Sequence, residues 1–353
     1  MNAINPEMIV LAREIRGFTQ KELAEHINIS QGMLSKIEKG LFKPSEDFLL
    51  SIYDFLNFPI SFFEQKDQLF DPNLTFYRKR VTVKKITQLS AEGRMNLVRM
   101  HVERLMKSVE LPELNLPTWD VEEQGEPTNA AIWLRRSWGL PKGRIENLTK
   151  VVEDNGIVVI SFNFGTEKMD GLSMQTKDKQ PLIFINKAIS GDRQRFTLAH
   201  EVGHLVMHIG QRVSDFRDVE KEAMQFAAEL LVPASEFQKE AEYISLESLG
   251  DLKRYWKVSM GSLLFRVKEL GLVTENRYRY LWQQMAMKGY KTHEPAALNI
   301  PRETPTLMKE IIMMHINELG YKKDELSTML NIIEADLEEL YFNDQVKLKI
   351  VRN

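Results

Sequence analysis

The 353-residue chain contains no cysteine, which removes several classes of site at once. Disulfide bonds, thiolate metal sites and cysteine nucleophiles are excluded, so a bound metal ion must be held by histidine, aspartate or glutamate. The chain also lacks an apolar run of the ~18 residues that a membrane-spanning helix needs. Its first residues show no basic segment followed by an apolar one, so we expect no signal peptide, no membrane association and a cytoplasmic location.

A strong positive charge is absent as well. The formal net charge is −3, which argues against a globally basic nucleic-acid-binding surface. Residues 1–65 carry 6 basic and 9 acidic side chains, whereas residues 66–107 carry 10 basic and 4 acidic ones. If residues 1–65 bind DNA, we expect the phosphates to be attracted by individual cations and by the basic segment that follows. These individual cations are Arg13, Arg16, Lys36, Lys39 and Lys43.

Histidine is scarce, and three of the seven histidines fall within residues 196–208, in the stretch FTLAHEVGHLVMH. His200 and His204 are four residues apart, so on a helix both imidazoles lie on one face and can bind one ion. Glu201 lies about 100° further round such a helix, where it can act as general base on a water molecule without being a ligand. Zinc suits an imidazole and carboxylate ligand set, and we predict one zinc ion per chain. The alternative is a coincidental pattern on an ordinary helix.

A catalytic zinc ion usually has three protein ligands and one open position. We predict the third ligand in the next helix, DVEKEAMQFAAELLVP, where Glu220 falls at the edge of the apolar stripe. A carboxylate turned into a core is costly unless it is paired or metal-bound. Glu222 is the second choice, and both Glu222 and Glu229 are expected on the solvated side of the helix. His208 is expected to be a core or rim histidine, because two helical turns, about 12 Å, separate it from His200.

Residues 7–65 are predicted to form short helices. The stretch TQKELAEHINISQGMLSKIEKG places apolar residues at helical spacing on both sides of a break. Thr19 and Glu22 predict a capping box, Ser30 a second N-cap, and Gly40 the end of the second helix. Two short helices joined by a tight turn are the helix-turn-helix pattern.

The rest of the chain mixes helical and strand-like segments. A long amphipathic helix is predicted at residues 86–110, and the proline-rich, acidic residues 111–127 are predicted to be a linker. The strand-like runs GIVVISF, GLSM and PLIFIN then precede the helices that carry the histidines and Glu220. Further helices are predicted at residues 245–270 and over the last fifty residues.

One internal similarity links the two ends of the chain. Residues 23–37, LAEHINISQGMLSKI, align without gaps with residues 326–340, LSTMLNIIEADLEEL. The acidic residues of the second copy would repel phosphates. We interpret the second copy as a helix-turn-helix-shaped unit for packing or protein contacts, and chance similarity between two helical hairpins as the alternative.

The stretch RQRFTLAHEVGHLVMH, followed by EKEAMQFAAELLVP, resembles the ImmA/IrrE family of metallopeptidases. The similarity covers about residues 128–270 and maps the acidic position of the second family motif onto Glu220. Met224 departs from the pattern, since asparagine is usual there. The resemblance implies a compact zincin-like α+β domain, in a family whose members cut repressor proteins after stress or in mobile elements.

Residues 8–63 resemble the Cro/C1-type helix-turn-helix of XRE regulators, through Gln20, Ala24, the NIS triplet, Ile37, Glu38 and Gly40. The resemblance implies a five-helix domain that places its second motif helix in the major groove, and a homodimer on two half-sites of operator DNA. Glu38 is expected to pair with Arg13 in a structural role. The predicted DNA contacts are Gln20 and Lys39 to phosphates, and Gln31, Gly32, Ser35 and Lys36 to bases.

The predicted fold class is therefore multidomain and mainly α-helical, with one α+β zincin-like domain. The predicted boundaries are 1–66 for the helix-turn-helix domain, 67–127 for a basic helical connector and linker, 128–275 for the metallopeptidase-like domain, and 276–353 for a helical extension. The extension is the part expected to be helix-turn-helix-shaped.

The predicted function is a DNA-binding transcriptional regulator whose zinc-dependent domain hydrolyses a peptide bond in a repressor-type protein, either a partner or itself. We expect the substrate to bind as an extended segment along a sheet edge, at the PLIFIN strand. Two alternatives remain open. The metal domain could sense a ligand or be structural in a non-proteolytic regulator, or the protein could be an antitoxin or immunity-element partner. A helix-turn-helix domain that has lost DNA binding is a further alternative for the first domain.

Overall fold

The computed structural model describes residues 4–67, 69, 83–210, 213–214, 216–241 and 243–342. These residues form eighteen α-helices, one 3₁₀ turn and one three-stranded sheet. The helices are α1 Pro6–Ile15, α2 Gln20–His26, α3 Gln31–Glu38, α4 Glu46–Leu56, α5 Ile60–Phe63, α6 Lys85–Leu105, α7 Val121–Gln124, α8 Pro127–Ser137, α9 Leu148–Asp154, α10 Gly191–Met207, α11 Val219–Leu231, α12 Ala234–Glu240, α13 Leu246–Trp256, α14 Met260–Glu269, α15 Glu275–Met287, α16 Leu307–Asn317, α17 Lys323–Leu330 and α18 Glu334–Tyr341. The strands are β1 Val158–Phe162, β2 Gly171–Gln175 and β3 Pro181–Asn186, and the 3₁₀ turn is Ala296–Leu298.

The first five helices form the predicted helix-turn-helix domain. Thr19 and Glu22 make the capping box at the start of α2, and the Ser30 side chain accepts a hydrogen bond from the backbone N–H of Met33 at the start of α3. The tight turn between these helices requires a left-handed residue, and Asn28 supplies it with φ 54°. Local side-chain chemistry therefore fixes the angle between α2 and α3.

The three-stranded sheet separates two hydrophobic cores. Its order is β1-β3-β2, with β1 parallel and β2 antiparallel to β3. Alternate side chains of β3 enter opposite cores: Leu182 and Phe184 face the core shared with the first domain, whereas Ile183 and Ile185 face the core of α10 and α11. Burial on both faces explains why PLIFIN is continuously apolar.

The central position of β3 corrects one prediction. The PLIFIN strand was expected to offer a sheet edge to a substrate, but its two sides pair with β1 and with β2. A continuous apolar strand is typical of a sheet interior, which is why this strand is a poor candidate for an edge. Within the described sheet, the edge strands are β1 and β2.

The long helix α6 lies between the first domain and the C-terminal helices. It packs against α1 on one side and against α16 and α17 on another, within one continuous hydrophobic core. The C-terminal helices also contact the first domain directly, because Asp336 of α18 accepts two hydrogen bonds from the Arg16 guanidinium at 2.7 and 2.9 Å. The structure thus ties the predicted extension to the helix-turn-helix domain.

Residues 111–127 were predicted to be a linker, but they pack against the neighbouring domain. The Trp119 backbone N–H donates to the Val206 carbonyl, and its indole donates to the carbonyl of Gly125. The Pro112 carbonyl lies so close to Gly156 that a Cβ there would come within 2.7 Å of it. Proline and acidic residues gave this segment the composition of a linker, whereas its few apolar side chains anchor it.

The overall predicted fold class is confirmed, since the described chain is mainly helical with a single small sheet. The domain boundaries stay predictions. The YRKR segment at residues 77–80 and the end of the chain, residues 343–353, lie outside the described residues. In the described part of the chain, no helix combines the length and the apolar character that crossing a membrane requires.

Candidate metal centre and DNA-binding domain

Helix α10 carries the histidine motif in a buried position. His200 and Glu201 are each 8 % exposed and His204 is 3 % exposed. The Nε2 atoms of the two histidines lie 3.1 Å apart, so both rings point to one place on the same helical face. This convergence is what the four-residue spacing predicts.

Helix α11 brings Glu220 to the same place. Its carboxylate oxygens lie 3.6 Å from His200 Nε2 and 3.4 Å from His204 Nε2. One ligand atom from each of the three residues lies within 4.8 Å of the other two, so this set could hold a metal ion. Two imidazoles and one carboxylate are donors that suit a catalytic zinc site with an open position.

The two helices can approach because α10 has a glycine where they cross. A Cβ on Gly203 would lie 2.9 Å from Cδ1 of the fully buried Phe226 of α11. The N-terminus of α11 is fixed by Asp218, whose side chain accepts a hydrogen bond from the Lys221 backbone N–H. Glu220 follows directly in the first turn, which places its carboxylate at the positive end of the helix dipole.

The electrostatic surroundings of Glu220 favour its ionised form. Burial raises the pKa of this carboxyl, but the adjacent His200 and His204 outweigh burial and bring the pKa well below its usual range. An ionised carboxylate beside two imidazole nitrogens is the protonation state in which this group binds a cation.

Glu201 does not turn towards Glu220. Its Oε2 atom accepts a hydrogen bond of 2.8 Å from Oγ of Ser173, which lies on the edge strand β2. The side chain is therefore held between α10 and the strand, which leaves it beside the His200–His204–Glu220 set without joining it. Ser173 was not among the residues predicted from the sequence, although its hydroxyl in the otherwise apolar segment GLSM was an available signal.

His208 lies outside the three-residue set, as predicted from the length of two helical turns. Its Nδ1 atom is 2.9 Å from Nδ1 of His204, and its Nε2 atom is 2.9 Å from Oε2 of Glu222. Burial, together with the neighbouring His204, lowers the pKa of His208 to about 4, so the ring is neutral near pH 7. The ring is thus a core histidine that joins the predicted ligand His204 to the Glu222 carboxylate of the next helix.

Two predictions about α11 were wrong. Glu222 and Glu229 were expected on a solvated surface, but Glu222 is half-buried between His208 and Arg217, and Glu229 is only 4 % exposed. Glu229 forms a buried ion pair with Arg266 of α14. The Arg266 side chain of α14 reaches the side of α11 that the periodicity assigned to solvent. A single helical pattern cannot reveal such a distant partner.

The predicted DNA-contacting residues lie on or beside α3. Gln31, Gly32, Lys36 and Lys39 are exposed, and Ser35 is half-buried. This is the surface that such a domain would present to the major groove. Their contacts with bases and phosphates stay predictions.

Gln20 has a different environment from the one expected. Its amide Nε2 donates a 2.7 Å hydrogen bond to Oε2 of Glu38, the residue that also pairs with Arg13. The Arg13–Glu38 pair itself is as predicted, with Nε–Oε1 at 2.7 Å and Nη2–Oε2 at 3.3 Å. The Gln20 side chain therefore supports the domain through Glu38, and its contact with a phosphate stays a prediction.

Two family models match the chain in the regions where these features lie. Residues 9–63 match the model described as Helix-turn-helix, and residues 152–268 match the model described as IrrE N-terminal-like domain. The chain combines these two domains. Both predicted resemblances are confirmed, and the second match assigns the α10–α11 region to a metallopeptidase family. A search of curated proteins finds no match.

The combination supports a DNA-binding regulator that carries an ImmA/IrrE-like domain of a metallopeptidase family. The IrrE N-terminal-like region includes the sheet, α10 and α11, and therefore contains all three residues of the candidate metal site and Glu201.

Proposed function

We propose that the chain is an operator-binding transcriptional regulator whose second domain is a zinc-dependent endopeptidase acting on a repressor-type protein, either a partner or the protein itself. The observation that supports it is the convergence of His200, His204 and Glu220 from two helices, with Glu201 next in sequence to the first ligand. One zinc ion per chain would be held by these three side chains.

The chemistry follows from the residues around this set. A bound zinc ion would supply Lewis acidity and lower the pKa of a water molecule at its open position. Glu201 would take the proton from the attacking water and deliver it to the leaving amine. The hydrogen bond from Ser173 keeps the Glu201 carboxylate directed towards the strand side of the site, where a substrate would lie.

The substrate would bind as an extended segment along β2. This strand is at the edge of the described sheet, and it carries Ser173 beside Glu201. Backbone hydrogen bonds to a sheet edge align a peptide without fixing its sequence, which suits a protease that cuts an exposed loop. The peptide bond to be cut would then run past Glu201.

DNA binding would reside in the first domain, with α3 in the major groove and a homodimer on two half-sites. Lys36 and Lys39 are exposed on the side of α3 that would meet DNA. Because residues 1–65 carry more acidic than basic side chains, we expect weak non-specific binding and a strong dependence on the few cations near the groove.

In the decisive experiment, the purified protein is incubated with zinc and candidate repressors, and new chain termini are identified by mass spectrometry. Wild type is compared with Glu201→Gln and with Glu220→Ala, and Glu247→Gln serves as control because it removes an exposed carboxylate elsewhere. We expect cleavage by wild type and by the control, and a loss of at least 10²-fold in Glu201→Gln. Bound zinc without cleavage of any repressor or of the chain would favour the sensor or structural alternative. No gel shift with the DNA upstream of its own gene would refute the regulator.

A further inference from the structure

The residues behind His204 form a continuous hydrogen-bonded line from α10 to α11. His204 Nδ1 meets His208 Nδ1 at 2.9 Å, and His208 Nε2 meets Glu222 Oε2 at 2.9 Å. Glu222 in turn accepts hydrogen bonds from Nε and Nη2 of Arg217 at 3.0 and 2.6 Å. His204 is 3 % and His208 2 % exposed, so water does not compete freely for these ring nitrogens.

The position of one proton on His204 decides whether this residue can bind a cation. Its Nε2 atom faces His200 at 3.1 Å and Glu220 at 3.4 Å, so Nε2 is the atom that would bind the ion. A neutral imidazole has a single N–H, and the other nitrogen has the lone pair. Binding through Nε2 therefore requires the proton on Nδ1, whereas a neutral imidazole in water prefers the proton on Nε2.

The line of residues selects the required tautomer. The ionised carboxylate of Glu222 is only an acceptor, so the His208 nitrogen facing it must be N–H. A neutral His208 then presents the lone pair of Nδ1 to His204. His204 satisfies this lone pair by donating from its own Nδ1 at 2.9 Å, which leaves the lone pair on His204 Nε2.

We infer that His208 and Glu222 are positioning residues that hold His204 in the tautomer and orientation needed to bind the metal ion. The inference rests on the proposed function and adds a carboxylate–histidine–histidine relay behind the ligand. Such partners of metal-binding histidines typically contribute 10–100-fold in metal affinity. Arg217 supports the relay by orienting the Glu222 carboxylate with two hydrogen bonds.

Two measurements on the full chain test the inference. Zinc affinity is measured by competition with a chromophoric chelator for wild type, His208→Phe, His208→Gln and Glu222→Ala. We expect His208→Phe and Glu222→Ala to bind zinc about 10–100-fold more weakly. His208→Gln should recover most of the affinity, because its amide oxygen can accept from His204 Nδ1–H. His293→Phe, which changes an exposed histidine, should bind as wild type does.

The second measurement is the ¹⁵N spectrum of the metal-free protein labelled on histidine, which reports the tautomer without any bound metal. We expect His204 to carry its proton on Nδ1 in wild type and to lose this preference in His208→Phe. A wild-type His204 protonated on Nε2, or a zinc affinity of His208→Phe within twofold of wild type, would overturn the inference. Failure of wild type to bind zinc would instead refute the proposed metal site, and the spectrum would still decide the tautomer.

Discussion

The glycine between the two metal-site helices should be sensitive to a single methyl group. In Gly203→Ala the new Cβ would lie 2.9 Å from Cδ1 and 3.2 Å from Cγ of Phe226. Phe226 is fully buried, so its ring has no solvent to move into. The contact must be relieved by a small separation of α10 from α11, which moves Glu220 away from His200 and His204.

Two effects of opposite sign set the magnitude. Replacing glycine by alanine in a helix interior stabilises the fold by about 1 kcal/mol, whereas overpacking a core costs about 1–3 kcal/mol. The control is Gly32→Ala on α3, since the added Cβ has no neighbour within 4 Å there and only the stabilising effect remains. We therefore expect Gly203→Ala to be less stable than Gly32→Ala by roughly the overpacking cost, about 1–3 kcal/mol.

The assay is urea unfolding in the presence of a chelator, followed by a zinc titration of the folded protein. Gly203→Ala should bind zinc at least tenfold more weakly than Gly32→Ala, because the ligands come from both displaced helices. Adding Phe226→Leu to Gly203→Ala should restore much of the zinc affinity by removing the clashing ring atoms. Equal stabilisation by Gly203→Ala and Gly32→Ala, with unchanged zinc affinity, would refute the packing argument.

Three further predictions concern other parts of the molecule. In a double-mutant cycle measured by urea unfolding, Arg16→Ala and Asp336→Ala should show a coupling energy of about 1 kcal/mol. If the two single changes in unfolding free energy simply add up in the double variant, the Arg16–Asp336 contact does not stabilise the protein. Arg266→Met should lower the free energy of unfolding by about 3–5 kcal/mol by leaving Glu229 buried and unpaired, and a second change of Glu229→Leu should recover most of it. Lys39→Ala should reduce the salt slope of DNA binding by about 1 in a titration of gel shifts, and an unchanged slope would exclude a phosphate contact.

The features that could be predicted from sequence are those fixed by local spacing. His200 and His204 are neighbours on any helix, so their convergence needed no knowledge of the rest of the fold. The capping box at Thr19 and the N-cap at Ser30 are likewise decided within three or four residues. Glu220 could be chosen because an inward carboxylate must have a partner, and a nearby histidine pair is the partner that the motif offers.

The features that could not be predicted depend on residues far apart in the chain. The partner of Glu229 is 37 residues away, and nothing in the α11 pattern distinguishes a buried ion pair from a solvated acid. The sheet order β1-β3-β2 decides which strand is an edge, and strand order depends on how the connections cross. The packing of residues 111–127 depends on distant residues in the same way, because the Trp119 backbone N–H finds its partner at Val206.

The two copies of the helix-turn-helix pattern share their backbone turn and core but differ in surface charge. Asn28 and Asn331 occupy the same place in the two copies, and both adopt the left-handed conformation, with φ 54° and 56°. The equivalent apolar residues Leu34 and Leu337 are both fully buried, so the second copy keeps the backbone turn and the core of the first. The surface differs, since α18 has Glu334, Glu338 and Glu339 at the positions of Gln31, Ser35 and Lys36 of α3. Asp336, another acid of α18, binds Arg16. A unit that retains the fold, rejects phosphates and pairs with the first domain is suited to packing within this protein rather than to reading a second half-site.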